Sequence, residues 1–201
     1  MAEAATRTLP AAPITEWLKP MPPAMRFILH GDAAARAAAS SVWGVGFAEE
    51  SCRALLGDER ATLWLGPDEY LLLGRADGSD ADIVAAEAAV DAALASALGG
   101  LPHALVNISH RQFGLEVHGP HAVTILSGAC PLDLDLGEFP VGMCTRTVLA
   151  KADIVLWRTD EDAFHLEVWR SFSGYVTGLL SEIAREFYPN GTSGGIQDRS
   201  R

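Results

Sequence analysis

The feature that most constrains this chain is an internal echo. Trp64-Leu65-Gly66-Pro67-Asp68-Glu69-Tyr70 and Trp157-Arg158-Thr159-Asp160-Glu161-Asp162-Ala163-Phe164 share one order: a tryptophan, a turn holding Asp-Glu, an aromatic, then a strand-like run and a helix. The copies stand about ninety residues apart, too long for a solenoid period and suited to two α+β subdomains whose sheets are covered by helices. Chance likeness between two hairpins with common turn chemistry is the competing account.

Apolar runs at 61–65 and 70–73, joined by Gly66-Pro67-Asp68-Glu69, predict a hairpin. A helix follows, capped by Ser79 or Asp80, with Ile83, Val90, Leu94 and Ala97 on one face and Gly99-Gly100 as its stop. A second strand pair, 104–108 and 112–118, leads through Gly119-Pro120 into a short helix with proline at its first position, ending near Gly128. Strands at 145–150, 154–157 and 164–169 and a helix over 171–187 complete the pattern. That last helix is expected to bury Phe172, Val176, Leu179, Ile183 and Phe187. The fold class is therefore α+β, with duplicated β-β-α subdomains and antiparallel sheets covered by helices over residues 27–188. Pro10, Pro13, Pro20, Pro22 and Pro23 predict an irregular arm over residues 1–26, and the Gly/Ser/Asn-rich stretch 189–201 predicts a loose tail.

With 201 residues, 49% hydrophobic and 20% charged, the chain can bury a substantial core. No secretory leader or membrane span is read from its apolar runs, so a cytoplasmic location is expected. A formal net charge of −11 disfavours nucleic acid and anionic membranes as partners. Cys52, Cys130 and Cys144 form no C-x-x-C pair and are expected to be free, buried thiols rather than zinc ligands.

Motifs for cofactor chemistry are missing: neither a phosphate-cradling P-loop nor a G-x-G-x-x-G dinucleotide turn occurs. His110, His118 and His121 match no metal-ligand spacing, so no metal is expected. Ser109-His110 and Ser171 to Ser173 lack a nucleophile elbow, and Asp133, Asp135 and Glu138 read as a solvated acidic loop. Arg146, Arg158 and Arg170 sit in or beside strands, as sheet-surface charges or as partners for a carboxylate.

From 104 to 180 the sequence is similar to the aminomethyltransferase of the glycine cleavage system and its folate-binding relatives. Asn107-Ile108-Ser109-His110 stands where that family shows Asp-Val-Ser-His, and Val117-His118-Gly119-Pro120-His121-Ala122 resembles its strand-Gly-x-x-Ala-helix segment. Asp153-Ile154-Val155-Leu156-Trp157 resembles the hairpin after the catalytic aspartate. The family enters that hairpin through a Gly-Gly turn and two successive acids. Here Leu149-Ala150-Lys151-Ala152-Asp153 implies that the turn is lost and that Ala152 replaces one acid, so methyl-transfer chemistry is not implied. Asn107, Ser109 and Asp153 are the candidate remnants of a folate pocket.

Trp64-Leu65-Gly66-Pro67-Asp68-Glu69, Cys130-Pro131-Leu132-Asp133-Leu134, Arg146-Thr147 and Trp169-Arg170-Ser171-Phe172 with Tyr175 resemble, in order and spacing, the gamma subunits of heterotetrameric sarcosine oxidases. That resemblance implies a chain without catalytic residues, bound to a large alpha subunit and through it to beta and delta subunits. It also implies that flavins, NAD and tetrahydrofolate sit on those partners, in a complex that demethylates sarcosine to glycine and passes the one-carbon unit to tetrahydrofolate. Trp17, Arg146 and Trp169 are the expected interface residues. A stand-alone folate-binding protein and a small subunit of an N-methyl amino acid dehydrogenase are the alternatives.

Overall fold

The computed structural model describes residues 15–188. The first half contains β1 (Leu18–Pro20), β2 (Ala24–Gly31), α1 (Ala33–Trp43), β3 (Ala54–Leu56), β4 (Arg60–Gly66), β5 (Glu69–Arg75) and α2 (Asp80–Leu98). The second contains β6 (His103–Asn107), β7 (Gln112–His118), α3 (Ala122–Ser127), β8 (Cys144–Leu149), β9 (Ala152–Asp160) and β10 (Ala163–Trp169). A 3-10 turn (Arg170–Phe172) and α4 (Ser173–Ala184) close it. Each half thus runs strand, strand, helix, three strands, helix. The fold is of the expected α+β class, and the repeat is larger than the β-β-α unit read from sequence.

Two five-stranded sheets form, ordered β3-β4-β5-β2-β6 and β8-β9-β10-β7-β1, with antiparallel neighbours. The orders correspond strand for strand, and the edge positions reveal an exchange. β1 opens the first half but pairs with β7 of the second, Leu18 opposite Val117. β6 opens the second half but pairs with β2 of the first, Ile28 opposite Val106. Each half donates its opening strand to the other.

Strand alternation divides the core into layers. Phe27, Leu29 and Leu72 face α1 and α2, where they meet Trp43, Ile83 and Leu94. Leu115, Val117, Phe164 and Leu166 meet α3 and α4 through Ile125, Val176 and Leu180. Leu63, Leu65, Leu71, Leu73, Val155 and Trp157 fill the gap between the sheets. The result is a helix–sheet–sheet–helix sandwich in which each fully buried leucine contributes about 1.5–3 kcal/mol. α1 is Ala-rich and begins at Asp32, whose carboxylate accepts the Ala35 amide at 3.0 Å. It ends at Gly44, whose φ of 79° suits a residue without a Cβ.

Several expectations change. Residues 18–20 and 24–26, placed in the irregular arm, are strand, because the backbone there finds partners in β7 and β5; residues 1–14 and 189–201 lie outside the described residues. Pro120 precedes α3, whose first residue is Ala122. α4 buries Ser173, Val176, Thr177, Leu180 and Ala184, with Ile183 and Phe187 partly buried against the same core as expected of them and of Val176, while Phe172 is 40% exposed. The turn read as lost is present. β8 and β9 join through Ala150 and Lys151, with Ala150 at φ 50°, a left-handed conformation that glycine adopts more readily.

Candidate functional site

Inward-facing positions of strands between packed sheets ordinarily carry apolar side chains. β2 and β10 break that rule. On β2, Phe27 and Leu29 point to the helices while Arg26 points into the seam. On β10, Phe164, Leu166 and Val168 point to the helices while His165 and Glu167 point into the seam. Arg26 donates from Nε to Glu167 Oε2 at 2.7 Å and from Nη2 to Oε1 at 2.9 Å, and Nη1 donates to the Ala24 carbonyl at 3.1 Å. His165 Nε2 lies 2.7 Å from Glu167 Oε1. The side chains of Arg26 and Glu167 are 4% and 0% exposed. Burial alone would raise the Glu167 carboxyl, but the Arg26 charge and the His165 contact overcome it and hold the group at about 2. This forked pair joins the two sheets across 141 residues of sequence.

The duplication explains why the pair fits. Leu73 lies opposite Arg26 in one sheet, and Glu167 lies opposite Gly114 in the other, so Leu73 corresponds to Glu167 and Arg26 to Gly114. A Cβ on Gly114 would come within 3.0 Å of Arg26 Nη2 and 3.1 Å of Glu167 Oε1. Where one half carries the guanidinium, the other carries the space for it.

Two of the predicted pocket residues join this network. Ser109 Oγ accepts the Arg26 backbone amide at 2.9 Å and lies 2.9 Å from Asn107 Oδ1, while Asn107 donates to Glu87 Oε1 at 2.6 Å. Asp153 does not meet them. It lies on β9, beside a cavity of about 230 Å3 also lined by Arg111, Gln112, Arg146 and Trp169.

The expected interface residues divide similarly. Trp17 is 4% exposed and stacks on Tyr188 at 6.0 Å, so its ring packs into the chain's own core. Arg146 grips Glu69 with hydrogen bonds of 2.7 and 2.5 Å, which hold that carboxyl below its ordinary value. Trp169 is 44% exposed under the Arg111 guanidinium, 4.9 Å from its ring centre. Phe172 and Tyr175, edge to face at 6.4 Å, extend the exposed aromatic surface of this region. Arg158, read as a surface charge, is 3% exposed and donates to the Leu134, Phe139 and Glu161 carbonyls, pinning an irregular loop to β9. His121 stacks on Phe187 at 4.9 Å. Cys130 and Cys144 are buried, Cys52 is partly so, and burial pushes the Cys144 thiol up to about 12.

Sequence reasoning missed Arg26, His165 and Glu167. The available signal was a charged residue on the inward parity of an otherwise apolar strand, as Glu167 is between Leu166 and Val168.

The model of the sarcosine oxidase, gamma subunit family matches residues 30–186. Sarcosine oxidase gamma subunits of Corynebacterium sp. (strain P-1) and Arthrobacter sp are each 35% identical over 127 residues, which is 63% of this chain. The match spans 58% of the length of each of those relatives. Among solved structures, a chain of the heterotetrameric sarcosine oxidase from Corynebacterium sp. U-96 in complex with pyrrole 2-carboxylate superposes with a TM-score of 0.74 and 29% identity, covering 85% of this chain and 84% of that one. The glycine cleavage system aminomethyltransferase T from Bartonella henselae gives a TM-score of 0.58 at 16% identity, over 81% of this chain and 44% of that one, a likeness of fold.

Proposed function

The chain belongs to the sarcosine oxidase gamma subunit family, and from that premise we propose that it serves as a non-catalytic subunit of a heterotetrameric sarcosine oxidase. The complex oxidatively demethylates sarcosine to glycine and passes the one-carbon unit to tetrahydrofolate. Flavins, NAD and tetrahydrofolate belong to the partner chains, this subunit binds the large alpha subunit, and the assembly works in the cytoplasm. No helix among the described residues is long and apolar enough to cross a membrane.

The observation that carries the docking role is the aromatic trio Trp169, Phe172 and Tyr175, which the described residues leave exposed, Trp169 lying beside Arg111. Large aromatics and arginines supply much of the binding energy of protein interfaces. Asn107 and Ser109, in this reading, brace the Arg26 backbone rather than hold a ligand. Co-expression with an affinity-tagged alpha subunit tests the proposal: the wild-type chain co-purifies, and Trp169→Ala combined with Tyr175→Ala lowers recovery at least about tenfold. Sarcosine turnover by the isolated chain, or a variant recovered in full, refutes it.

A further inference from the structure

The two halves of the chain are stitched together at one corner of the sandwich. Ahead of β3, Arg53 pairs antiparallel with Met143, which precedes β8. The Ala54 amide donates to the Gly142 carbonyl and the Cys144 amide to the Cys52 carbonyl, both at 2.9 Å. Cys52 and Cys144 therefore stand opposite each other on this short ladder. Opposed residues of an antiparallel ladder have Cα atoms about 5.5 Å apart, inside the span of roughly 4.4–6.8 Å that a disulfide bridges. Cys52 takes a left-handed conformation, φ 59°, as the chain turns into the ladder. We propose that Cys52 and Cys144 are a redox-active dithiol that closes reversibly to a disulfide, a covalent strap between the halves.

The two thiols have different surroundings and so different parts in the reaction. Cys52 is partly exposed and Cys144 is buried. Cys144 packs between the sheets with Leu63, Val155 and Trp157, and its thiol donates to the Trp64 carbonyl at 3.5 Å. Burial pushes that thiol up to about 12; Cys52 is close enough to push it in the same direction, and the nearby Arg53 guanidinium pulls it back. Cys52 is thus the member that meets a small oxidant, and Cys144 the one that resolves. With a low-molecular-weight disulfide such as oxidised glutathione, the Cys52 thiolate attacks one sulfur and expels one glutathione, leaving a mixed disulfide. Cys144 then gives its proton to solvent, attacks the Cys52 sulfur and expels the second glutathione. Two protein thiols lose two electrons in all, and one glutathione disulfide is reduced to two thiols. Cys130 belongs to the helix-side core of the second half and serves as the internal control.

The test uses the full 201-residue chain, equilibrated in its folded state with oxidised and reduced glutathione, then unfolded, alkylated and weighed by mass spectrometry. The reduced chain should take up label at all three cysteines and the oxidised chain at Cys130 alone, with peptide mapping joining Cys52 to Cys144. Cys130→Ser should oxidise at the native rate. Cys52→Ser should block the strap and leave Cys144 open to label, while Cys144→Ala, checked for folding by circular dichroism, should stop at the mixed disulfide on Cys52. The thiolate fraction of a group at about 12 grows about tenfold per pH unit, so the trapped mixed disulfide should convert to the strap about tenfold faster at pH 8 than at pH 7. Because it closes a loop of about ninety residues, the strap should raise the urea midpoint, and dithiothreitol should return it. A mixed disulfide on Cys52 that never resolves in the native chain, dimers linked through Cys52, a bond that includes Cys130, or a strap that forms only in urea each overturns the proposal. None of these outcomes bears on the docking role of the aromatic trio.

Discussion

Glu167 is a carboxylate enclosed between two sheets, and its ionised form is tolerated only because Arg26 and His165 stand against it. Removing one member of such a pair strands the other charge, so Glu167→Gln should destabilise the protein by about 3–5 kcal/mol. The pH dependence has a definite sign. The folded carboxyl sits at about 2 against an ordinary value of 4.5, so its contribution is complete above 4.5 and fades as the pH falls toward 2. Urea melts of both proteins between pH 7 and 3 should therefore show a gap that is constant at first and narrows below about 4.5. At the turn between β8 and β9, Ala150 is exposed and holds φ at 50°. Ala150→Gly should relieve that conformation and raise stability by up to about 1 kcal/mol, read as a higher denaturation midpoint. Neither residue announces its state in sequence: an Arg–Glu pair 141 residues apart leaves no local spacing, and a family glycine replaced by alanine suggests a lost turn where the chain has kept it.

Elements were legible in proportion to how much local chemistry they carry. The β4–β5 and β9–β10 hairpins show apolar runs around Asp/Glu turns, and α2 shows its Ser79 cap, whose hydroxyl and the Asp82 carboxylate satisfy each other's backbone amides. α1 carries no comparable stripe, because its buried residues include Ala35 and Ala39 and alanine marks no face. It depends on close approach, seen where a Cβ on Gly31 would meet the Ala35 methyl at 2.6 Å. Trp43 anchors its last turn and the cap its first, so Asp32→Ala should cost about 1 kcal/mol in equilibrium unfolding. In α4 the apolar periodicity marked Val176 and Ile183, which pack on the core, but gave no sign of Ser173, Thr177 and Ala184, small residues that the sheet also covers. Of the pocket remnants, Asn107 and Ser109 share one network because they flank the end of β6, while Asp153 belongs to a strand in the other sheet.

At the scale of the molecule, the exchanged edge strands make each half incomplete without the other. A chain cut at Gly99-Gly100, between α2 and β6, separates β7 from β1 and β2 from β6, leaving each sheet without its exchanged edge strand. Each fragment alone should show little cooperative structure, and an equimolar mixture should recover the helix–sheet–sheet–helix sandwich, measured by circular dichroism and size-exclusion chromatography. Independent folding of either fragment would contradict the exchange. The echo of Trp64 and Trp157 made the duplication readable, but not the exchange, since strand pairing between halves is set by contacts far apart in sequence.

The correspondence of Arg26 with Gly114 and of Leu73 with Glu167 carries a consequence for symmetry. Two copies of the first fragment, joined as a homodimer, would bring a pair of guanidiniums to the seam with leucines and no acid to receive them. Two copies of the second would bring a pair of carboxylates beside empty glycines, with a histidine on each but no guanidinium to fill the space. Only the unlike combination neutralises its own interior, so whatever twofold ancestor the duplication preserves, the present halves have become obligate complements and can no longer stand in for one another.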